Sequence, residues 1–245
     1  MGLYAVFDFE LLFNLALMLL CYAYILTVIF ASGMMVKALK ISRKASRKFL
    51  HVMIGNLSFI IPFYTFNTFP LNFPFFVAAP FIIVTFLASP HSPFKRISGC
   101  FKELSEITEE GHHFGLVFYS FSYTFLALFF ASRPYLMAVG VLPMAYGDAA
   151  ASAVGERWGR RRYKLLSLKS LEGSAAMFIV TFTILMMSSF YFSNFSSPST
   201  INNPFIFLII SLIASIVEAF SPSGFDNLTV PLSSILVYLH FTGGL

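Results

Sequence analysis

FIFLIISLIASIV, residues 205–217, is apolar at every position except Ser211 and Ser215, and this pattern decides the fold. A strand of a transmembrane barrel alternates apolar and polar residues with a period of two, whereas an unbroken run of this kind reads as a helix packed in lipid or among other helices. Comparable runs recur along the chain at 9–36, 49–64, 73–88, 114–131, 135–155, 173–192 and 205–220, and a last one follows the turn at 221–227 and ends near Phe241. Runs of such length suit the ~30 Å of hydrocarbon in a bilayer. The expected architecture is therefore all-α, a polytopic integral membrane bundle of about eight transmembrane helices. With no internal repeat and no linker in sight, residues 1–245 read as a single membrane-embedded domain.

Composition agrees, with 58% hydrophobic residues, 11% charged and a mean hydropathy of +0.79. Six Lys and Arg fall between the first and second runs, three between the third and fourth, six between the fifth and sixth, and only Arg133 falls on the other side. By the positive-inside rule those three loops face the cytoplasm and both chain ends point outward. The net charge of +5 sits in loops between spans, which excludes nucleic acid as the partner and favours membrane lipids and anionic substrates. Cys21 in the first run and Cys100 in a loop give no disulfide framework. The first run is too long and too acidic in its leading flank for a signal peptide, so a retained helix is expected. Residues 89–113 read as an amphipathic helix lying at the interface, with Glu106, Glu109, Glu110 and His113 on a solvated side.

Carboxylates at span ends need a reason, because a charge near the bilayer centre costs at least about 2.5 to 3.5 kcal/mol. Asp148, Glu172, Glu218 and Asp226 all map to the cytoplasmic half. Asp148, Ala151, Ser152, Gly155 and Gly159 recur at spacings of three and four, a strip of small residues on one helical face. Such a strip serves either tight helix packing or the close approach of a ligand. Arg157, Arg160, Arg161, Arg162, Lys164 and Lys169 then form a loop able to wrap a polyphosphate, followed by Ser170, Glu172 and Gly173. Anionic headgroups would also attract such a loop. Near the second span, Arg47, Lys48 and His51 stand together, with Arg47 and His51 on one helix face. No phosphate-loop, dinucleotide or H-E-x-x-H zinc motif is present.

These residues resemble the CTP-using membrane family that includes dolichol, phytol and CTP-dependent diacylglycerol kinases, within the superfamily of the CDP-diacylglycerol synthases. D-x-x-A-x-x-x-G-x-x-x-G is met by Asp148, Ala151, Gly155 and Gly159, and K-[ST]-x-E-G by Lys169, Ser170, Glu172 and Gly173. Arg47, Lys48 and His51 are similar to the R-K-x-x-H segment, and Asp226 to Pro231 to the D-N-x-T-x-P ending. Leu168 stands where some of these kinases carry a second basic residue.

The resemblance implies CTP-dependent phosphorylation of a long-chain isoprenoid alcohol, such as dolichol, another polyprenol, phytol or geranylgeraniol, at the cytoplasmic face. It implies a divalent cation, Mg²⁺ by preference, held by Asp148 and Asp226, and a catalytic set of Asp148, Glu218 and His51, any of which could be the general base. CTP contacts are expected from Arg47, Lys48, Ser152, Gly155, Gly159, Arg160, Lys164, Lys169, Ser170, Glu172, Gly173 and Asn227. The expected partners are the lipid alcohol, CTP and membrane lipids, with a homodimer left open. The rival readings are a cytidylyltransferase that makes a CDP-lipid and, further off, a transporter or non-catalytic membrane protein.

Overall fold

A computed structural model describes residues 2–89, 93, 104, 114–195 and 203–244. The chain is helical, with two short hairpins. In order, α1 spans Gly2–Lys37, α2 Arg43–Gly55, α3 Phe73–Ala78, α4 Pro80–Ala88, α5 Gly115–Phe130, α6 Pro134–Leu142, α7 Asp148–Trp158, α8 Leu171–Phe192, α9 Pro204–Phe220 and α10 Asp226–Thr242. One hairpin pairs β1 (Asn67–Thr68) with β2 (Leu71–Asn72), and the other pairs β3 (Arg162–Lys164) with β4 (Leu168–Ser170). Among the described residues three helical stretches are long and apolar enough to cross a membrane, Phe7–Lys37, Pro134–Trp158 and Leu171–Phe192. Phe73–Ala88, Gly115–Phe130 and Pro204–Phe220 are shorter apolar helices.

The centre of the bundle is α6, whose residues from Tyr135 to Leu142 are all buried. A helix apolar on every side has no solvent face to present, so its neighbours close around it. α10, α8 and α5 pack against it, while α7 packs on α8, α8 on α9 and α9 on α10. α1 lies outside, with Leu12, Leu19, Leu26 and Phe30 exposed and Cys21, Ile25 and Val28 turned inward.

Prolines break several of these helices, and in lipid every freed backbone carbonyl needs a partner from within the protein. Pro80 cannot donate to the carbonyl of Phe76, and the Tyr22 hydroxyl of α1 takes it at 2.7 Å. Pro62 leaves the carbonyl of Phe59 to the Tyr191 hydroxyl of α8 at 2.6 Å. Pro231 leaves the carbonyl of Asn227 to the Ser122 hydroxyl of α5 at 2.7 Å. Each repair pins one helix to another. At Pro143 the chain instead widens into a π turn over Pro143–Gly147, in which the Asp148 N–H donates to the Pro143 carbonyl. Such wide turns are frequent at functional sites.

Two expected spans are corrected. Residues 49–64 do not form one helix: α2 begins earlier, at Arg43, because Ser42 accepts from the Ala45 N–H at 3.2 Å as N-cap, and it ends at Gly55 in two 3₁₀ turns. Residues 73–88 are two helices, since Pro80 interrupts the backbone ladder. The interfacial helix expected over 89–113 lies almost entirely outside the described residues.

Asn227 donates through Nδ2 to the Gly115 carbonyl at 3.1 Å, so the starts of α5 and α10 lie side by side. α5 then runs about 24 Å to its far end, where Arg133 sits before α6 returns to Asp148. The two basic segments at 37–48 and 156–169 therefore gather at one end of the bundle, and Arg133 lies at the other.

Candidate active site

That cation-rich end holds a cavity of about 350 Å³. Its wall takes Asp148 from α7, Glu218 from α9, Asp226 from α10, Lys48 from α2 and Lys169 from β4. The three carboxylates are buried, at 4%, 2% and 5% exposure, and present oxygens that all lie within 4.8 Å of one another. Three like charges so close would repel strongly at low dielectric, and two ammonium groups offset them. Lys48 is ion-paired to Asp148 and Lys169 to Glu218, while Lys169 also stands 3.8 Å from Asp226. Burial presses Lys169 toward its neutral form, but the carboxylates of Glu218, Asp226 and Asp148 outweigh that and hold its pKa above the ordinary lysine value. Outside this cluster Lys44, Arg47 and Arg162 line the same cavity, and Lys44 pairs with Glu156 at 2.6 Å.

Each carboxylate is placed by a traceable local cause. Asp148 leaves the π turn at a point where α8 comes close, because Gly147 has no Cβ to collide with the Thr181 hydroxyl. Glu218 and Asp226 flank the turn between α9 and α10. Thr229 Oγ1 reaches back to Ser221 Oγ across that turn at 2.7 Å, and the Ser221 carbonyl accepts from Ser167 Oγ of the basic hairpin at 3.2 Å. Asp226 Oδ1 accepts from the Asn227 N–H at 3.0 Å, which leaves Oδ2 to face the cluster.

Most residues singled out from sequence come to this cavity: Arg47, Lys48, Asp148, Ser152, Gly155, Lys169, Ser170, Gly173, Glu218 and Asp226. Others lie outside its lining, each for a physical reason. Asn227 is buried, donates through Nδ2 to the Gly115 carbonyl and gives its backbone carbonyl to Ser122, which fixes the start of α10 beside Asp226. Glu172 accepts from the Arg161 N–H at 3.2 Å and ties down the base of the β3–β4 hairpin. Gly159 serves packing, since a Cβ there would meet Ser170 Oγ at 2.9 Å. Arg160 and Lys164 are exposed on the loop and the hairpin. His51 is fully buried and stacked on Tyr119 at 4.3 Å.

The small-residue strip thus serves both of its sequence readings. A Cβ on Gly173 would lie 2.8 Å from the Ala151 carbonyl and 3.4 Å from the Gly155 Cα, so α7 and α8 meet backbone to backbone. Ser152 and Gly155 also face the cavity. Ser170 caps α8 by accepting from the Gly173 N–H at 3.1 Å. Residues not picked out as contacts beforehand are Lys44, Ala151, Glu156, Ser167, Leu168, Ser174 and Ser223, along with Arg162, where Arg160 and Lys164 were expected. The pairing of Arg162 with Ser170 in the hairpin explains that choice of arginine, and a strand there carries no clear signal in so charged a segment.

The donor set suits a hard divalent cation. Mg²⁺ takes oxygen ligands and is commonly held by one or two carboxylates together with substrate phosphates. Asp148, Glu218 and Asp226 offer such oxygens, and the surrounding Lys and Arg offer counter-charge to phosphates.

Fold and site together define a helical membrane protein with a polar, carboxylate-bearing cavity at one end of its bundle. The sequence matches no known family model, and no solved structure matches it. Among characterised proteins, phytol kinase of Synechocystis sp. is 35% identical over 129 residues, which is 51% of this chain and 54% of that protein. Phytol kinase 1 of Arabidopsis thaliana is 27% identical over 237 residues, 89% of this chain and 73% of that one. Farnesol kinase of the same plant is 30% identical over 126 residues, 50% and 41% of the two chains. The Arabidopsis phytol kinase alignment apart, the matches span about half or less of these relatives. The chain is thus similar to proteins named phytol kinase and farnesol kinase.

Proposed function

We propose that this protein transfers the γ-phosphoryl group of CTP to the hydroxyl of a long-chain isoprenoid alcohol at the cytoplasmic membrane face. The observation that carries the reading is the meeting of three buried carboxylates from three helices with Lys48 and Lys169 in one cation-lined cavity. The class of acceptor follows the relatives, which are named for phytol and farnesol. The choice of CTP follows the motif resemblance of Asp148 to Gly159, Lys169 to Gly173 and Asp226 to Pro231.

Phosphoryl transfer asks little covalent chemistry of a protein and much positioning and charge neutralisation. Asp148 and Asp226 would hold Mg²⁺, which when bound supplies charge neutralisation on the phosphates. Lys44, Arg47 and Arg162 line the cavity as counter-charges for the triphosphate. Lys48 and Lys169, ion-paired to Asp148 and Glu218, line the same cavity and add to its positive charge. The acceptor hydroxyl attacks the γ-phosphorus, its proton passes to a carboxylate, the bond to the β,γ-bridging oxygen breaks, and CDP leaves. Glu218 reaches the cavity and is the better-placed base while Asp148 serves the metal, whereas His51 is fully buried and does not line the cavity. A general base contributes about 10²- to 10⁴-fold.

The test is an acceptor and donor screen with purified protein. Phytol, farnesol, geranylgeraniol, a polyprenol and diacylglycerol are each offered with γ-labelled CTP, ATP, GTP or UTP. Label should move from CTP to an isoprenoid alcohol. Its release in pyrophosphate would mark a cytidylyltransferase, and label on diacylglycerol alone would overturn the choice of acceptor.

A further inference from the structure

The β3–β4 hairpin carries more apolar and more cationic surface than the cavity uses. Its tip, Leu165-Leu166-Ser167, has none of the Gly, Pro, Asn or Asp that usually make a turn, and Leu165 and Leu166 are 46% and 65% exposed. Arg160, Arg161 and Lys164 are exposed as well and lie outside the cavity lining. Just before them, at the end of α7, Trp158 is 59% exposed, with the Arg157 guanidinium 5.4 Å from the centre of its ring. Exposed leucines among cations are costly in water, whereas the boundary between headgroups and acyl chains suits both.

Two fastenings lay the hairpin across the ends of the helices. At its base the Leu171 N–H donates to the Arg161 carbonyl at 3.0 Å, and the hydroxyls of Tyr163 and Ser174 meet at 2.6 Å in the first turn of α8. Near its tip Ser167 Oγ donates to the carbonyl of Ser221, the residue after α9, at 3.2 Å. Both helices carry an exposed apolar stripe that ends at these points. Leu171, Ile179 and Met187 mark it on α8, and Leu212, Ile216 and Phe220 on α9. In a membrane protein such a stripe faces lipid, so the hairpin lies level with the edge of the lipid-facing surface. A two-stranded hairpin has open backbone edges, which hydrocarbon does not tolerate, and this sets the headgroup layer as its place.

We propose that the β3–β4 hairpin docks on the anionic headgroup layer of the bilayer that holds the chain. Leu165 and Leu166 sit at the boundary between headgroups and acyl chains, near the depth of the Trp158 ring, and Arg160, Arg161 and Lys164 take lipid phosphates. The hairpin also carries Arg162 and Lys169 into the cavity, where Lys169 is ion-paired to Glu218, so docking steadies two of the cavity's cations. That consequence rests on the kinase reading, whereas the docking does not.

Trp158 is the sole tryptophan of the chain and reports docking without any substrate. The protein is reconstituted in phosphatidylcholine vesicles with or without phosphatidylglycerol, and lipids brominated high or low on the acyl chain quench its emission by contact. Trp158→Phe combined with Leu166→Trp moves the fluorophore to the tip. In both proteins quenching should be strongest for the bromines nearest the headgroups, should grow with phosphatidylglycerol and should fall again in high salt. Lys164→Gln in the tip reporter should lower the ratio of docked to undocked hairpin about fivefold, the worth of one cation at an anionic surface. Without the reporter changes, Leu165→Ser with Leu166→Ser should cut phosphorylation of an isoprenoid alcohol severalfold in the mixed vesicles, and unchanged turnover overturns the link from docking to the cavity. An unquenched tip reporter, or quenching indifferent to phosphatidylglycerol and salt, overturns the docking and leaves the kinase reading in place. Docking without label transfer to any alcohol removes the kinase reading and leaves the docking.

Discussion

Lys169→Met tests whether the carboxylate cluster is held together by its lysines. The side chain of Lys169 is 20% exposed, while those of Glu218 and Asp226 are 3% and 6% exposed. Methionine keeps most of the volume but leaves Lys48 alone among three buried carboxylates. Removing one partner of a buried pair costs about 3 to 5 kcal/mol, and because the cavity admits solvent the low end, about 3 kcal/mol, is expected. For a chain of this size that is a fall of about 6 to 12 °C in apparent Tm. The assay is thermal unfolding of purified protein in detergent with chelator present. Adding Glu218→Gln to the variant should recover most of the loss, since the orphaned charge goes with it, and the two changes should be strongly non-additive. Millimolar Mg²⁺ should raise the Tm of Lys169→Met more than that of the unmodified protein, because the cation binds a cluster already missing one ammonium group. An unchanged Tm in chelator would refute the reasoning, since Glu218 and Asp226 would then not depend on Lys169.

Ser122→Ala leaves the carbonyl freed by Pro231 without its hydroxyl partner, and an unsatisfied buried group costs about 1 to 3 kcal/mol; a matching Tm loss is expected, and none would show that the Asn227 carbonyl finds another donor. The pH dependence follows from Lys169. A lysine whose folded pKa is raised gives its full stabilisation below the ordinary value near 10.5 and loses it only as pH rises through the raised one. The KM for nucleotide should therefore show no Lys169-linked rise between pH 7 and 9, and one that vanishes in Lys169→Met would contradict the raised value.

Run length made much of the bundle legible before any coordinates. Residues 114–131, 173–192 and 205–220 are helices within a residue or two of their apolar limits, because a helix in lipid starts and stops where polar residues do. Hydropathy said less about backbone breaks. The carbonyl freed at Pro80 is repaired by Tyr22, from a distant part of the chain, whereas at Pro143 the backbone widens locally into a π turn that apolar run length does not register. The start of α2 at Arg43 was hidden in a basic segment, where Ser42 is the one local sign.

The site divides along similar lines. Asp148, Glu218, Asp226, Lys48 and Lys169 could be picked out because charge beside an apolar run demands a reason. Their convergence could not be read from spacing, as it depends on the packing of α7, α8, α9 and α10. Asn227 and Glu172 share motifs with cavity residues but lie outside the cavity lining, and their hydrogen bonds to Gly115 and Arg161 cross stretches of chain that no motif spans.

The most direct measurement is transfer of label from γ-labelled CTP to an isoprenoid alcohol, run side by side with the unmodified protein and Asp148→Asn. Label should appear on the alcohol with the unmodified protein and be lost with the variant, while the variant still inserts and purifies normally. Comparable turnover by both proteins would take Asp148 out of the chemistry and with it the carboxylate cluster as the catalytic centre.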